Sequence, residues 1–562
     1  MAFLIQRQLF PQKEILRGQR GVRAYTKPQK TPTVTQEYQH RAHELHEMST
    51  EARTGHDRES SLLRQELFST PIVAVRNGVV QRCADDIFAD HRAWGMGYPT
   101  LAGQKRPTPG IELTASSVRS CVAPASSCSS CLALGARDCD CWKVSRHALH
   151  ATGDAVGIKI LFSEGSSLTA REFLSVLGPC DHWIEVVDSN PVCICRFSRW
   201  TKRVHRCPPP GTDPLGYLEA VNSLLADGAF DVLLPTHEQA WLFAVARRAL
   251  HPHARIAVAS ADAFSRVQSK IECARLLDEV GLPQPKWGLV DSPDELARWQ
   301  PPFYLKAPFS TAGTGVRCVT QAGDAKGTFQ SLRRASHGGP LMVQAAARGE
   351  YAQVQALFDH GRLIAAHTSA QTAVGIGPSA AGRVSVDHPF ARRDVAKLGE
   401  HLSWHGGLTL DYLFREHDWG YIECNPRTVE PANAAASGVD LPGLQLALSL
   451  GEHPDEVPVG QVGVRTHSAL AILLGTAAYA GTRRAVLAEA VRLVLHQSPS
   501  EHSRERLTPV LHDWPSAIPL STVAGRVLLS PQSAERISQA TIRAYSVTPE
   551  AIERLATTLS TV

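Results

Sequence analysis

The chain has 562 residues, with 58 Lys and Arg against 54 Asp and Glu, a formal net charge of +4, and 13 cysteines. A small net charge and a pI near 8.4 give no electrostatic case for nucleic acid, and no apolar run approaches the roughly 18 residues of a membrane span. An odd cysteine count argues for reduced thiols in a cytoplasmic setting, and the length suffices for about three or four domains with self-sufficient cores.

Residues 1–35 hold seven Lys and Arg and one acidic residue, Glu14, with apolar Phe3, Leu4, Ile5, Leu9 and Phe10. That composition fits a transit peptide, a disordered basic tail or an upstream start-codon error. Ile72 to Val80, with Asn77-Gly78 at its centre, reads as a tight hairpin. Cys128, Cys131, Cys139 and Cys141 with His147 and His150 supply thiolates and imidazoles of the kind zinc takes. The gap between the cysteine pairs is short for a zinc ribbon and the turn residues are missing, so chance in a Ser/Cys-rich segment is the stronger reading and no metal ligands are assigned. Residues 1–155 read as a poorly structured or uncharacterised extension.

From Val156 the pattern changes. Ile158–Phe162, Ile184–Asp188, Asp231–Pro235 and Arg255–Ala259 read as buried strands, with helices through Leu177, over 214–226 and over 238–250. Alternation at these lengths predicts a parallel, doubly wound sheet over 156–262. Gly165-Ser-Ser167 is no dinucleotide fingerprint; a strand-to-helix turn and a substrate loop both fit it.

Ser269-Lys270 opens an amphipathic helix that stops at Gly281-Leu-Pro283. Phe303-Tyr-Leu-Lys306 is a short strand that delivers an ammonium, followed by the Ser/Thr/Gly loop Ser310–Val316, whose backbone N–H groups at Gly313 and Gly315 can approach phosphate oxygens. Leu341–Ala347, which includes Gln344 and Ala345, is a strand running into small residues, with Gly349-Glu350 close behind.

Leu408–Phe414 and Tyr421–Arg427 read as two strands of a hairpin closed by Arg415–Gly420. Alternation puts Glu423, Asn425 and Arg427 on one side, where Asp411 joins them. Carboxylate and amide oxygens beside a fixed guanidinium are what a Mg²⁺-nucleotide site needs. An exposed polar edge on a hairpin gives the same Glu-x-Asn-x-Arg pattern without chemistry. Residues 452–562 read as a small accessory domain; His467 and Asp513 there have either a place near the cleft or a core hydrogen bond. Nothing in it resembles a biotin attachment sequence or a glutamine amidotransferase.

In order and spacing these motifs resemble the ATP-grasp superfamily, in its carbamoyl-phosphate-synthase-like and biotin-carboxylase-like branch, over about residues 156–450. The resemblance implies an α/β and α+β fold: a Rossmann-like pre-domain at 156–262, an ATP-grasp domain at 263–451 and a C-terminal accessory domain. It implies that Lys270 and Lys306 contact nucleotide phosphates, that Ser310–Val316 with Gly313 and Gly315 forms the flap, and that Gln344, Ala345 and Ala347 lie at the adenine hinge. Glu350 would serve the ribose or metal side. Asp411, Glu423 and Asn425 would hold Mg²⁺, with Mn²⁺ as the alternative, and Arg427, with Lys306, would act on the transferring phosphoryl group. The implied activity is an ATP-dependent ligase that activates a small-molecule carboxylate as an acyl phosphate for an amine or similar nucleophile. A phosphotransferase on the same clamp and a non-catalytic nucleotide-binding regulator stay open. A homodimer is the expected assembly, with neither nucleic acid nor membrane as a partner.

Overall fold

The computed structural model describes residues 157–560, except 229, 337, 378, 456, 498 and 499. The expected hairpin at 72–80 and the Cys/His cluster at 128–150 lie outside the described residues. Those described belong to one compact unit.

The first layer is a parallel sheet of order β3-β2-β1-β4, made of β1 (Lys159–Phe162), β2 (Trp183–Asp188), β3 (Thr201–Arg206) and β4 (Val232–Leu234). Ile160, Phe162, Ile184, Val186, Val232 and Leu234 are fully buried against helix α1 (Leu168–Leu177). Leu161, Val187 and Leu233 face α2 (Pro214–Gly228) and α3 (Gln239–Val245). This is the doubly wound arrangement expected, with two corrections. The run 255–259 is not a strand: beside the three-residue β4 it makes one backbone bond, Leu233 N–H to Arg255 C=O at 3.0 Å, and Ile256, Ala257 and Ala259 are buried without a ladder. In its place β3 pairs with β2, a charged edge strand with a single Val. The loop after β1 runs from that strand into α1. Its amides at Ser166 and Ser167 donate to Glu164, and that of Gly165 donates to Asp188.

Helices α4 (Ala261–Gln268) and α5 (Lys270–Val280) lead into a four-stranded antiparallel sheet of order β5-β8-β6-β7. Its strands are β5 (Trp287–Val290), β6 (Phe303–Lys306), β7 (Val316–Val319) and β8 (Leu341–Ala345). Helix α6 (Ala325–Ala335) covers it with Phe329 and Leu332. A seven-stranded sheet follows, of order β13-β12-β9-β10-β11-β14-β15. It comprises β9 (Glu350–Asp359), β10 (Arg362–Val374), β11 (Ala380–Ser385), β12 (Gly406–Arg415), β13 (Asp418–Asn425), β14 (Arg465–His467) and β15 (Arg504–Glu505), with α7 (Pro389–His401) between β11 and β12.

Period-two alternation divides this large sheet sharply. Ala352, Val354, Ala356, Phe358, Leu408, Leu410 and Tyr412 form an apolar face packed with α4, α5 and α7. The opposite face carries Glu423, Asp411, Gln353, Ser369 and Ser385 in cross-strand register, with Asn425, Thr409, Gln355 and His367 as the next row. Most of that polar face is buried, under the segment from Arg427 to α8 (Ala432–Ala436). Gln355 donates to Val429 C=O, and Thr409 Oγ1 donates to Arg427 C=O at 2.8 Å.

After α9 (Leu441–Leu450), the C-terminal part is helical: α10 (Ala469–Ala480), α11 (Arg483–Val494), α12 (Ala517–Leu529), α13 (Ser533–Tyr545) and α14 (Pro549–Ser560). Leu470, Leu473, Val486 and Val527 are among the residues of its own small core. Helix α14 returns to the first layer, where Val547, Ile552 and Leu555 join Tyr217 and Phe243. Asp513 is one half of a fully buried ion pair with Arg171 at 2.6 Å, and His467 Nδ1 lies 2.9 Å from Ser503 Oγ.

Candidate active site

The start of α5, the end of β6 and the β12–β13 hairpin converge on one corner. Ser269 caps α5 by accepting from Glu272 N–H, which fixes Lys270 at the first helical position. Lys270 Nζ lies 3.0 Å from Glu423 Oε1 and donates to Ser310 C=O at 3.0 Å. Lys306, at the end of β6, is 6 % exposed and donates to Ile422 C=O at 2.8 Å. Each lysine therefore crosses from its own element to β13.

The hairpin supplies the anionic corner. The register pairs Asp411 with Glu423 and Thr409 with Asn425, with an irregularity just after Asp411. Asn425 Nδ2 donates to Asp411 Oδ2 at 3.2 Å, and Asn425 Oδ1 accepts from Arg427 NH1 at 2.9 Å. Arg427 lies beyond the end of β13, where its N–H turns back to Asn425 C=O at 2.8 Å. Its NH2 reaches His237 Nε2 at 3.0 Å. Asp411, Glu423, Asn425, Arg427, Lys270 and Lys306 are thus brought together.

Electrostatics separates the two carboxylates. Burial, then the neighbouring Glu423, pushes Asp411 up to about 7. Burial opposes ionisation of Glu423 as well, but Lys270 and Lys306 outweigh it and hold the group below the ordinary carboxylate range. Burial lowers Lys306 to about 8, against the pull of Glu423. Two carboxyl groups this close, one of them reluctant to ionise, are a donor set that a hard divalent cation would relieve.

The segment expected as the flap is the β6–β7 turn. Gly313 has φ +72°, and a Cβ on Gly315 would sit 2.5 Å from Ser310 Cβ, so both positions require glycine. The loop lies down on the first layer. Phe309 stacks on Trp241 with ring centroids 5.8 Å apart, and Thr311 Oγ1 donates to both oxygens of Glu238 at 2.8 and 3.0 Å. Gln344 is buried and lines a small cavity of about 10 Å³ with Met342, Lys270, Cys273, Glu423 and Cys424. Ala345 ends β8, its N–H bonded to Lys286 C=O at 2.8 Å, and Ala347 follows in the connection to β9. Glu350 is not brought in: it is exposed at the start of β9, opposite Phe414.

Several polar groups in this region were not foreseen. His237 and Glu238 follow β4, at the carboxyl ends of the parallel strands where such sheets open a crevice; the strand-to-helix order could have pointed to them. Burial, then Arg427, holds His237 well below its ordinary value and therefore neutral, and burial raises Glu238. The His237 ring packs on Tyr545, with centroids 4.1 Å apart. Next to Asp411 along the polar face stand Tyr351 and Arg383, and Arg383 NH2 pairs with Glu430 Oε2 at 2.8 Å. Arg383 Nε and NH1 are buried and have no hydrogen-bond partner among the described residues. Glu172 faces Glu430, and burial together with that neighbour raises it to about 8. Nothing local in the sequence marks these residues.

No family model matches the chain. A stretch of 168 residues is 26% identical to acetyl-CoA carboxylase of Dictyostelium discoideum, which is 28% of this chain and 7% of that protein; the chain thus spans a small fraction of that relative's length. Among solved structures, the biotin carboxylase–β,γ-ATP complex of Campylobacter jejuni aligns at 15% identity over 54% of this chain and 74% of its own, with a TM-score of 0.44. The ADP complex of N5-carboxyaminoimidazole ribonucleotide synthetase aligns at 13% identity over 60% and 86%, with a TM-score of 0.45.

Proposed function

We propose that this chain, which resembles the biotin-carboxylase-like branch of the ATP-grasp superfamily, is a Mg²⁺- and ATP-dependent ligase that joins a carboxylic acid to an amine or similar nucleophile. The observation that carries the reading is the convergence of Lys270, Lys306 and Arg427 on a corner built from Asp411, Glu423 and Asn425. Three cations around hard oxygen donors suit a polyphosphate and its metal and little else among small molecules.

Asp411, Glu423 and Asn425 are the residues that would hold Mg²⁺, and the ion's contribution is to offset phosphate charge. Lys270 and Lys306 bind phosphate oxygens, exchanging their present Ser310 and Ile422 carbonyl partners for the nucleotide. Gln344 and Ala345 at the end of β8, with Ala347 just beyond, are the residues that the resemblance puts beside the base. Arg427, held by Asn425 and His237, stabilises the equatorial oxygens as charge redistributes. The flap Ser310–Val316 excludes water, which would otherwise hydrolyse the activated acid. The acid is received on the Arg383 side of Asp411, where the unpartnered N–H groups of a buried guanidinium suit a carboxylate. One carboxylate oxygen attacks the γ-phosphorus, ADP leaves, and the nucleophile then displaces phosphate from the acyl carbon.

The test is a screen of paired acids and amines for ADP and phosphate release, with mass spectrometry of the products. A ligase requires both partners and gives a condensed product. A phosphorylated product from a single partner, or nucleotide binding without turnover across the screen, overturns the reading.

A further inference from the structure

A second group of chemistry-bearing side chains lies far from this site. Asp359 ends β9, the strand on which Gln353 pairs with Asp411; at about 3.3 Å per residue the two positions are roughly 20 Å apart. Around Asp359 stand His360, His405 and His453. Asp359, His360 and His405 each offer a ligand atom, and these atoms all lie within 4.8 Å of one another.

Local structure fixes the arrangement. His360 and Gly361 form the two-residue turn between β9 and β10, with φ +46° and +92°. A histidine therefore occupies a left-handed position that Asn or Gly usually takes, and its ring stacks on His405 at 4.1 Å. His405 sits between the buried Trp404 and Gly406, whose φ of +98° brings the chain against Ala257. Gly361 N–H donates to Trp404 C=O at 2.7 Å and ties the turn to the His405 segment. On the far side of the carboxylate, Asp359 Oδ2 is taken by Arg362 NH2 at 3.2 Å and His453 Nδ1 at 2.7 Å.

The inner atoms are left over. Asp359 Oδ1 and His405 Nδ1 are buried, lack hydrogen-bond partners among the described residues, and are 3.6 Å apart. Zinc bonds of 2.0–2.2 Å at a tetrahedral angle separate two ligand atoms by roughly 3.3 to 3.5 Å, so this pair is close to a bite already, and His360 is exposed and free to close on it. From this geometry we propose that Asp359, His360 and His405 form a zinc-class transition-metal site, with His453 or water in the fourth position. Imidazole and carboxylate donors select this class over Mg²⁺ or Ca²⁺. Arg362 NH2 orients the carboxylate from outside the ligand set, and His453 Nδ1 does so where water takes the fourth position. The ion would clip together the β9–β10 turn, the segment before β12 and, through His453, the segment after α9. That role is structural and independent of nucleotide.

Tag-free full-length protein is stripped with chelator and equilibrated with Zn²⁺, and bound zinc is counted by mass spectrometry. Wild type is expected to bind one more equivalent than the double variant His360→Asn/His405→Gln, in which Asn retains the left-handed turn. Co²⁺ should give the intense visible bands of four-coordinate geometry in wild type, and these should be lost in the variant. Zn²⁺ should raise the Tm of wild type alone, while the metal-free Tm values coincide. Equal zinc counts in the two proteins, which would place any binding elsewhere, or weak six-coordinate Co²⁺ bands that the substitutions leave unchanged, overturn the proposal.

Discussion

Lys306→Met separates stability from function at one position. The Lys306 ammonium is 6 % exposed, and burial lowers its pKa from the ordinary 10.5 to about 8. That gap corresponds to roughly 3 kcal/mol by which the folded cleft disfavours the charged form. At pH 7 the group is protonated in both the folded and unfolded chains, so the native state bears the whole penalty. Methionine fills a similar volume without charge, but it forfeits the bond to Ile422 C=O, a charged hydrogen bond worth about 1.5–3 kcal/mol. The variant is expected to be as stable as wild type at pH 7, or more stable by about 1 kcal/mol, and to lose nucleotide turnover. The pH dependence has a fixed sign. Between about 8 and 10.5 the unfolded chain binds the proton that the folded one has released, so wild-type stability from this group rises with pH across that window and any advantage of the variant disappears. Urea unfolding of nucleotide-free protein at pH 7 and near pH 10, paired with ADP release, measures both effects. A variant less stable than wild type by 2 kcal/mol or more at pH 7, or one that keeps its turnover, refutes the reasoning.

Glu423→Gln and Asn425→Asp should each abolish ADP formation with unchanged far-ultraviolet circular dichroism, since each alters an oxygen donor where geometric tolerance is small; turnover retained in both removes the metal corner. Arg383→Gln should raise the KM for the acid at least tenfold and leave that for ATP nearly unchanged, and equal effects on both would assign Arg383 to scaffolding. Asp513→Ala should destabilise by about 3–5 kcal/mol in urea unfolding, because it strands the Arg171 guanidinium, fully buried, without its partner; a loss below 1 kcal/mol would mean that water reaches the pair.

The parts of the site that alternation or capping places were legible in the sequence. Lys270 behind its Ser269 cap, Lys306 at a strand end, and Asp411, Glu423 and Asn425 on one hairpin face follow from local rules. What stayed hidden depends on pairing between distant segments. Gln353 meets Asp411 only because β9 pairs with β12, and Arg383 enters the same face two strands further on. His237 gains its role through Arg427 and Tyr545, hundreds of residues away along the chain. Hydrophobicity misled in both directions at the first sheet: the Ile256–Ala259 run is buried without a strand partner, whereas β3, with its Lys, Arg and His side chains, pairs as an edge.

Glu238 holds two different things at once. Thr311 of the flap donates to both of its oxygens, while Val547 N–H, from the chain's last turn before α14, holds Oε2 alone at 3.1 Å. If the loop opens as a flap, the carboxylate would keep its second partner and stay where it was, as the strike plate of a latch stays fixed while the bolt withdraws. Each closure would then find its catch already aligned, with no need to order that side chain anew. Val547 would thereby set how reproducibly such a flap shuts: shortening the chain before it would leave the bolt intact and loosen the plate.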